Sequence, residues 1–191
     1  MATSSRTSFD ALDVVPVAPI VGRARPMVAS PLDGRYGAMD PGRLAPLVDR
    51  LLAMTPVGDV DLVLGIPEGG IIPAYAYAAA AGLPLALASI WRPDLPGVLT
   101  FQEEHDGALA PKHIYGIPPG SRVLIVEDEV TTGRTVINCV RALRDAGIEC
   151  HRVATLLSIG DGMLMARMGA EGIHLDVAHT IDPGARRVAI G

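Results

Sequence analysis

Two adjacent carboxylates, Glu127 and Asp128, are followed after Glu129-Val130 by hydroxyls around a glycine, Thr131-Thr132-Gly133-Arg134-Thr135. Ahead of the acids, Val123-Leu124-Ile125-Val126 is an unbroken apolar run, the pattern of a short strand buried on both faces of a parallel sheet. Behind the loop, Val136 to Leu143 has helical spacing. A small polar loop between strand and helix aims backbone N–H groups and the positive end of a helix dipole at one spot, which suits a phosphate. Two carboxylates beside it can accept hydrogen bonds from neighbouring hydroxyls, and charged acceptors bind more strongly than neutral ones. A ligand with a vicinal diol and a phosphate one sugar away satisfies both; ribose 5-phosphate has that form.

The run Val123 to Thr135 resembles the phosphoribosyl-pyrophosphate (PRPP) signature of the type I phosphoribosyltransferases. The resemblance implies that Glu127 and Asp128 hold the ribose 2- and 3-hydroxyls. It also implies that Thr131, Thr132, Gly133, Arg134 and Thr135 cradle the 5-phosphate. No Gly-Lys-Ser/Thr follows, so it is not a nucleotide P-loop, and the dinucleotide pattern Gly-x-Gly-x-x-Gly is missing. The implied fold is α/β, a doubly wound parallel sheet with a small hood and a long mobile loop. The implied reaction moves 5-phosphoribosyl from PRPP to a ring nitrogen and releases pyrophosphate, with Mg²⁺ as cofactor and Asp128 as its ligand. A homodimer is expected.

A second turn of the same kind, Glu68-Gly69-Gly70, joins the apolar run Asp61–Ile66 to an alanine-rich helix from Ile71 to Ala81. Glycines let a backbone approach an anion closely. The turn precedes the signature by one βα unit, where the resembled family has its pyrophosphate loop. Glu68 is awkward there unless it points away or acts through Mg²⁺.

Residues 93–121 hold five prolines, several glycines and the acidic pair Glu103-Glu104, and read as one long irregular segment. Loops of that length are usually lids or disordered. Trp91 to Gly97 resembles the start of the lid in adenine phosphoribosyltransferases; His113 to Val123 is closer to the orotate enzymes. Arg92 is a candidate for the departing pyrophosphate, since a guanidinium suits phosphate bidentately. Glu103 or Glu104 is a candidate for taking a proton from the nucleophile. Lys112, the only lysine, joins the PRPP-binding candidates. His105, Lys112 and His113 are nevertheless expected at the surface.

The remaining elements position these groups. Asp40-Pro41 opens a helix as N-cap and first residue, with Leu44, Leu47, Val48, Leu51 and Leu52 as its apolar stripe. Strands are expected over Leu85–Trp91, Arg152–Leu157 and Ile173–Val177, with a helix over Met163–Met168 between the last two. Residues 1–37, where prolines interrupt short apolar runs, read as edge strands or a hood; 38–191 form the core.

The 191 residues suit one domain. A net charge of −5 and no DNA-reading helix argue against nucleic acid as partner. No apolar run reaches membrane-spanning length and no leader pattern is evident, so a cytoplasmic protein is expected. Cys139 and Cys150 read as reduced core residues. Thr131 stands where hypoxanthine–guanine enzymes carry aspartate, and the acids of 93–121 stand where orotate enzymes carry lysines. A purine-like or other heteroaromatic acceptor is favoured over orotate. A non-standard acceptor stays open, as does a regulator that binds PRPP without turnover.

Overall fold

Alternate residues of the signature strand feed two different cores. Val123 and Ile125 pack with the signature helix, whereas Leu124 and Val126 face the opposite side of the sheet. That is the period-2 geometry of a strand covered on both faces. The computed structural model describes residues 11–16, 26–29, 38–105, 108–159, 162–181 and 187–189.

Strands β1 (Ala11–Pro16) and β2 (Pro26–Ala29) come first. Asp40 caps a short 3-10 turn at Pro41–Arg43 by accepting the Gly42 N–H, and α1 (Ala45–Met54) follows. The chain then forms β3 (Leu62–Gly65), α2 (Ile71–Ala81) and β4 (Leu85–Leu87). Next are β5 (Leu99–His105), β6 (Ala108–Ile114), β7 (Arg122–Val130) and α3 (Arg134–Asp145). It closes with β8 (Glu149–Ile159), α4 (Gly162–Ala170), β9 (His174–Ile181) and β10 (Arg187–Ala189).

The central sheet has five strands in the order β4-β3-β7-β8-β9, and all four pairings are parallel. One core lies under α1 and α2 and includes Leu47, Leu51, Tyr77, Leu124 and Leu156. The other lies under α3 and α4 and includes Ile125, Val140, Leu143, Leu164 and Met168. The fold is therefore doubly wound, as expected. Of the expected α1 stripe, Leu44, Leu47, Val48 and Leu51 are buried and Leu52 is half-buried; Asp40-Pro41 opens the 3-10 turn, and the α-helix itself starts only at Ala45. Arg122, which opens β7, grips Asp61, which precedes β3: its Nη2 lies 2.7 Å from Asp61 Oδ1. The hydrogen bond from Arg122 lowers the Asp61 carboxyl to about 2. Cys139 and Cys150 are free and buried; burial pushes the Cys150 thiol up to about 12, a protonated, unreactive core residue.

Four expectations need correction. Residues 93–121 are not one irregular loop: β5 and β6 pair antiparallel, with Phe101 opposite Lys112 and Glu103 opposite Ala110. This hairpin packs along α3, and Phe101 and Ile114 enter the core. Lys112 and His113 are buried, not surface groups. The strand read to Trp91 stops at Leu87, and only an isolated bridge from Ser89 to His113 continues it. The proline-broken N-terminal runs are expected as edge strands or a hood, but β1 is the middle strand of a three-stranded antiparallel sheet, between β2 and β10. Most of 1–37, and residues 106–107, lie outside the described residues.

Gly65 shows how tightly α2 sits on β3. A Cβ there would lie 2.7 Å from Ala74 Cβ and 2.9 Å from Leu87 Cδ2. Overpacking of a filled core costs about 1–3 kcal/mol, so Gly65→Ala is expected to lower unfolding stability by that amount in urea titration. An unchanged midpoint would show that α2 can shift away.

Candidate functional site

The paired acids are buried near the carboxyl end of β7, with half-buried Glu129 and buried Val130 after them. β7 is longer than the apolar run suggested and carries Glu127 and Asp128 within it. Both side chains are about 7% exposed. What makes room for them is the turn after β3. A Cβ on Gly69 would lie 2.1 Å from Asp128 Oδ2, and one on Gly70 would lie 2.9 Å from each carboxylate oxygen of Glu127. The two glycines and the two acids thus meet face to face, each glycine leaving the space one carboxylate fills. The Pro67–Glu68 peptide in this turn is cis. Glu68 itself is exposed, so its side chain points away from the acids.

Burial raises the Glu127 carboxyl well above the ordinary carboxylate range. The Asp128 charge and a hydrogen bond to Asp128 push the same way, and Glu103 adds to the effect from the hairpin. Glu127 Oε1 is buried with no hydrogen-bond partner among the described residues. An orphaned buried acceptor costs free energy until something donates to it. A ligand hydroxyl would relieve that cost.

The phosphate-type loop lies beside the acids. Gly133 caps α3 with φ of 73°, and a Cβ there would meet Leu164 Cδ1 at 2.9 Å. Thr131 and Arg134 are exposed, and Thr132 and Thr135 are half-buried. The Thr132 hydroxyl accepts the Arg134 N–H at 3.5 Å, a long contact. Glu104 sits over this loop from the hairpin. Its carboxylate pairs with the Arg134 guanidinium, and its N–H donates to Thr135 Oγ1 at 3.1 Å. One residue earlier, Glu103 pairs with Lys112 Nζ at 3.1 Å. Asn138 Nδ2 ties the hairpin to α3 by donating to the Gln102 carbonyl at 2.9 Å.

The structure thus gathers Glu127, Asp128, Gly69, Gly70, Thr132, Gly133, Arg134, Thr135, Glu103, Glu104 and Lys112. It leaves Arg92 exposed with no ion pair among the described residues. One neighbour was missed: Arg167 of α4 donates from Nη1 to the Thr132 carbonyl. No local signal pointed to it, since it lies 35 residues further along the chain.

The phosphoribosyl transferase domain model matches residues 54–182. The chain belongs to the phosphoribosyltransferase family. It is 29% identical over 174 residues to a hypoxanthine/guanine phosphoribosyltransferase of Methanohalophilus mahii, covering 91% of this chain and 90% of the relative. It is 33% identical over 139 residues to an adenine phosphoribosyltransferase of Clavibacter sepedonicus, covering 71% of each. Among solved structures, the adenine phosphoribosyltransferase of Rhodothermus marinus superposes with a TM-score of 0.70 at 22% identity, over 89% of this chain and 94% of that one. The Giardia lamblia enzyme, complexed with 9-deazaadenine, gives 0.71 at 19% identity, over 89% and 93%. Among the described residues no helix is long and apolar enough to cross a membrane.

Because Glu127 is protonated more readily when folded than when unfolded, it favours the native state at acid pH. That contribution is present below the ordinary carboxyl pKa and is lost as pH rises through the folded value. Replacing it with an uncharged isostere removes the loss. Glu127→Gln is expected to raise unfolding stability at pH 8 by about 1–2 kcal/mol, with no gain near pH 4. Thermal unfolding of both proteins across that range is the check; a gain independent of pH would exclude an ionising Glu127 as the cause.

Proposed function

We propose that this phosphoribosyltransferase moves the 5-phosphoribosyl group of PRPP onto a ring nitrogen of a purine-like base and releases pyrophosphate. The observation that carries the reading is the apposition of Gly69-Gly70 with Glu127-Asp128 beside the α3 loop. It offers a bare backbone, two acceptors and a helix N-terminus at neighbouring points. The relatives named hypoxanthine/guanine and adenine phosphoribosyltransferase support a purine-like acceptor over orotate.

In this reading Glu127 and Asp128 accept the ribose 2- and 3-hydroxyls. The N–H groups of 131–135 and the Arg134 guanidinium receive the 5-phosphate, so Glu104 must release Arg134 or share it. Gly69 and Gly70 bring backbone N–H groups to the pyrophosphate, and Lys112 adds the one ammonium group. Arg92 is kept as a pyrophosphate contact only through movement of its exposed side chain. Glu103, whose charge is felt at Glu127, is better placed than Glu104 to accept a proton near the reacting carbon. The hairpin, anchored on α3, shields that centre from water.

Among the described residues no three His, Cys, Asp or Glu side chains gather to hold a metal unaided. Two buried carboxylates beside a phosphate site nevertheless fit Mg²⁺, which takes one or two carboxylates and completes its shell from substrate phosphates and water. Asp128 would hold the ion together with PRPP. Once bound, it supplies positive charge to the leaving pyrophosphate.

A cytoplasmic homodimer completes the proposal. Tyr75 of α2, Leu87 of the edge strand β4 and the following Ile90 and Trp91 are exposed apolar groups that a second copy would cover.

Asp128→Asn keeps the shape and removes the charge. With Mg²⁺ and a panel of bases, its kcat/KM for PRPP is expected to fall by at least about 100-fold, some 2.7 kcal/mol of transition-state stabilisation. Pyrophosphate release is the readout, and wild-type rates in the variant would refute the site. Gly69→Ala is expected to weaken PRPP binding by at least about tenfold in calorimetry, since the new methyl displaces Asp128.

A further inference from the structure

A loop that binds phosphate through backbone N–H groups works only if those groups point into it. Gly133 is the weakest point in that respect, because glycine adopts either sign of φ at little cost and so lets the preceding peptide rotate. The Thr132–Gly133 peptide is trans, so its C=O and N–H point in opposite directions. Holding the carbonyl on one side therefore aims the N–H at the other. The Thr132 carbonyl is held by Arg167 Nη1. The Gly133 N–H has no acceptor among the described residues.

We propose that Arg167 is a positioning residue that fixes the Thr132–Gly133 peptide so that the Gly133 N–H faces the 5-phosphate. The inference rests on the reading of 131–135 as the phosphate loop and deepens it. A second observation supports it independently. Leu164 and Met168, from the same helix as Arg167, close on Gly133: a Cβ there would lie 2.9 Å from Leu164 Cδ1 and 3.1 Å from Met168 Sδ. Helix α4 thus clamps the glycine from behind while its arginine orients the peptide. A charged donor makes a hydrogen bond to a carbonyl stronger than a neutral one would, which suits a contact that must resist rotation. The guanidinium also lends positive charge behind the loop.

Ribose 5-phosphate is the probe, since it carries the phosphate and diol without pyrophosphate or base. Binding is measured by calorimetry on wild type, Arg167→Met, Arg167→Gln and Arg167→Lys. Arg167→Met is expected to weaken ribose 5-phosphate binding about tenfold or more and to raise KM for PRPP by a similar factor. The kcat and the KM for the base should stay within about threefold. The lysine variant, which can still donate with charge, should recover much of the loss, and glutamine, which can donate without charge, should recover part of it. In an amide spectrum, the Gly133 resonance should shift on ligand addition in wild type and not in Arg167→Met.

An arginine that served only the C-terminal end of α4 would lower the melting temperature of Arg167→Met while leaving the affinity unchanged; that result overturns the proposal. Glutamine no better than methionine, with lysine fully restoring binding, would assign the effect to charge alone and overturns it too. If Arg167→Met does not fold, the glutamine and lysine variants and the Gly133 resonance carry the same test. If wild type itself fails to bind ribose 5-phosphate, the phosphate-loop reading falls, an outcome distinct from equal binding by wild type and variant.

Discussion

Two carboxylates buried side by side at the end of a central strand are an expensive arrangement. Each loses hydration, and each repels the other. The molecule tolerates it because the turn opposite has no side chains to fill the same space. Any Cβ at Gly69 would occupy the position of the Asp128 carboxylate. The acids and the glycines come from parallel neighbours β7 and β3, so the sheet register is what brings them together. The Arg122–Asp61 pair holds the same two strands at their opposite ends. The site carries that cost as a raised Glu127 carboxyl and a Glu127 Oε1 with no donor among the described residues. A diol that donates to both acids removes the cost, which is a physical reason for affinity and not only for fit.

The hairpin gives this site a second tier. Alternate residues of β5 do different work: Phe101 packs into the core, Glu103 reaches Lys112 and the field of Glu127, and Glu104 covers the loop through Arg134 and Thr135. On the proposed reading, a phosphate arriving at the loop would meet an arginine already paired with a carboxylate. Competition for Arg134 would then couple phosphate binding to the position of the hairpin. Lys112, a buried residue of the hairpin, pairs with Glu103 at 3.1 Å.

The edge strand β9 shows the contrast between a satisfied buried acid and an unsatisfied one. Asp176 in β9 is as buried as Glu127, yet it accepts from Thr55 at 2.9 Å and Arg152 at 2.8 Å and sits 3.0 Å from His174 Nε2. Its oxygens are all used within the fold. Tyr77, beside it, is pushed to about 12 mainly by burial. Such a network ties α1, α2, β8 and β9 together and leaves nothing for a ligand.

The linear chain by itself determined the strand, acids, loop and helix of the signature, the Gly69-Gly70 turn and the α1 stripe. Those are short-range patterns: apolar period, turn chemistry and capping act over a few residues, so they are legible without a fold. It also contained, unread, the hairpin: seven-residue flanks on either side of Asp106-Gly107 are a hairpin signal that the surrounding prolines masked. What only the tertiary structure decided is which separate pieces meet. Glycine against carboxylate, Glu104 over Arg134, Arg167 behind Thr132 and β10 beside β1 all join residues far apart in sequence. No local preference selects such contacts; they follow from sheet register and from the packing of helices on its two faces, which exist only once the whole core has formed.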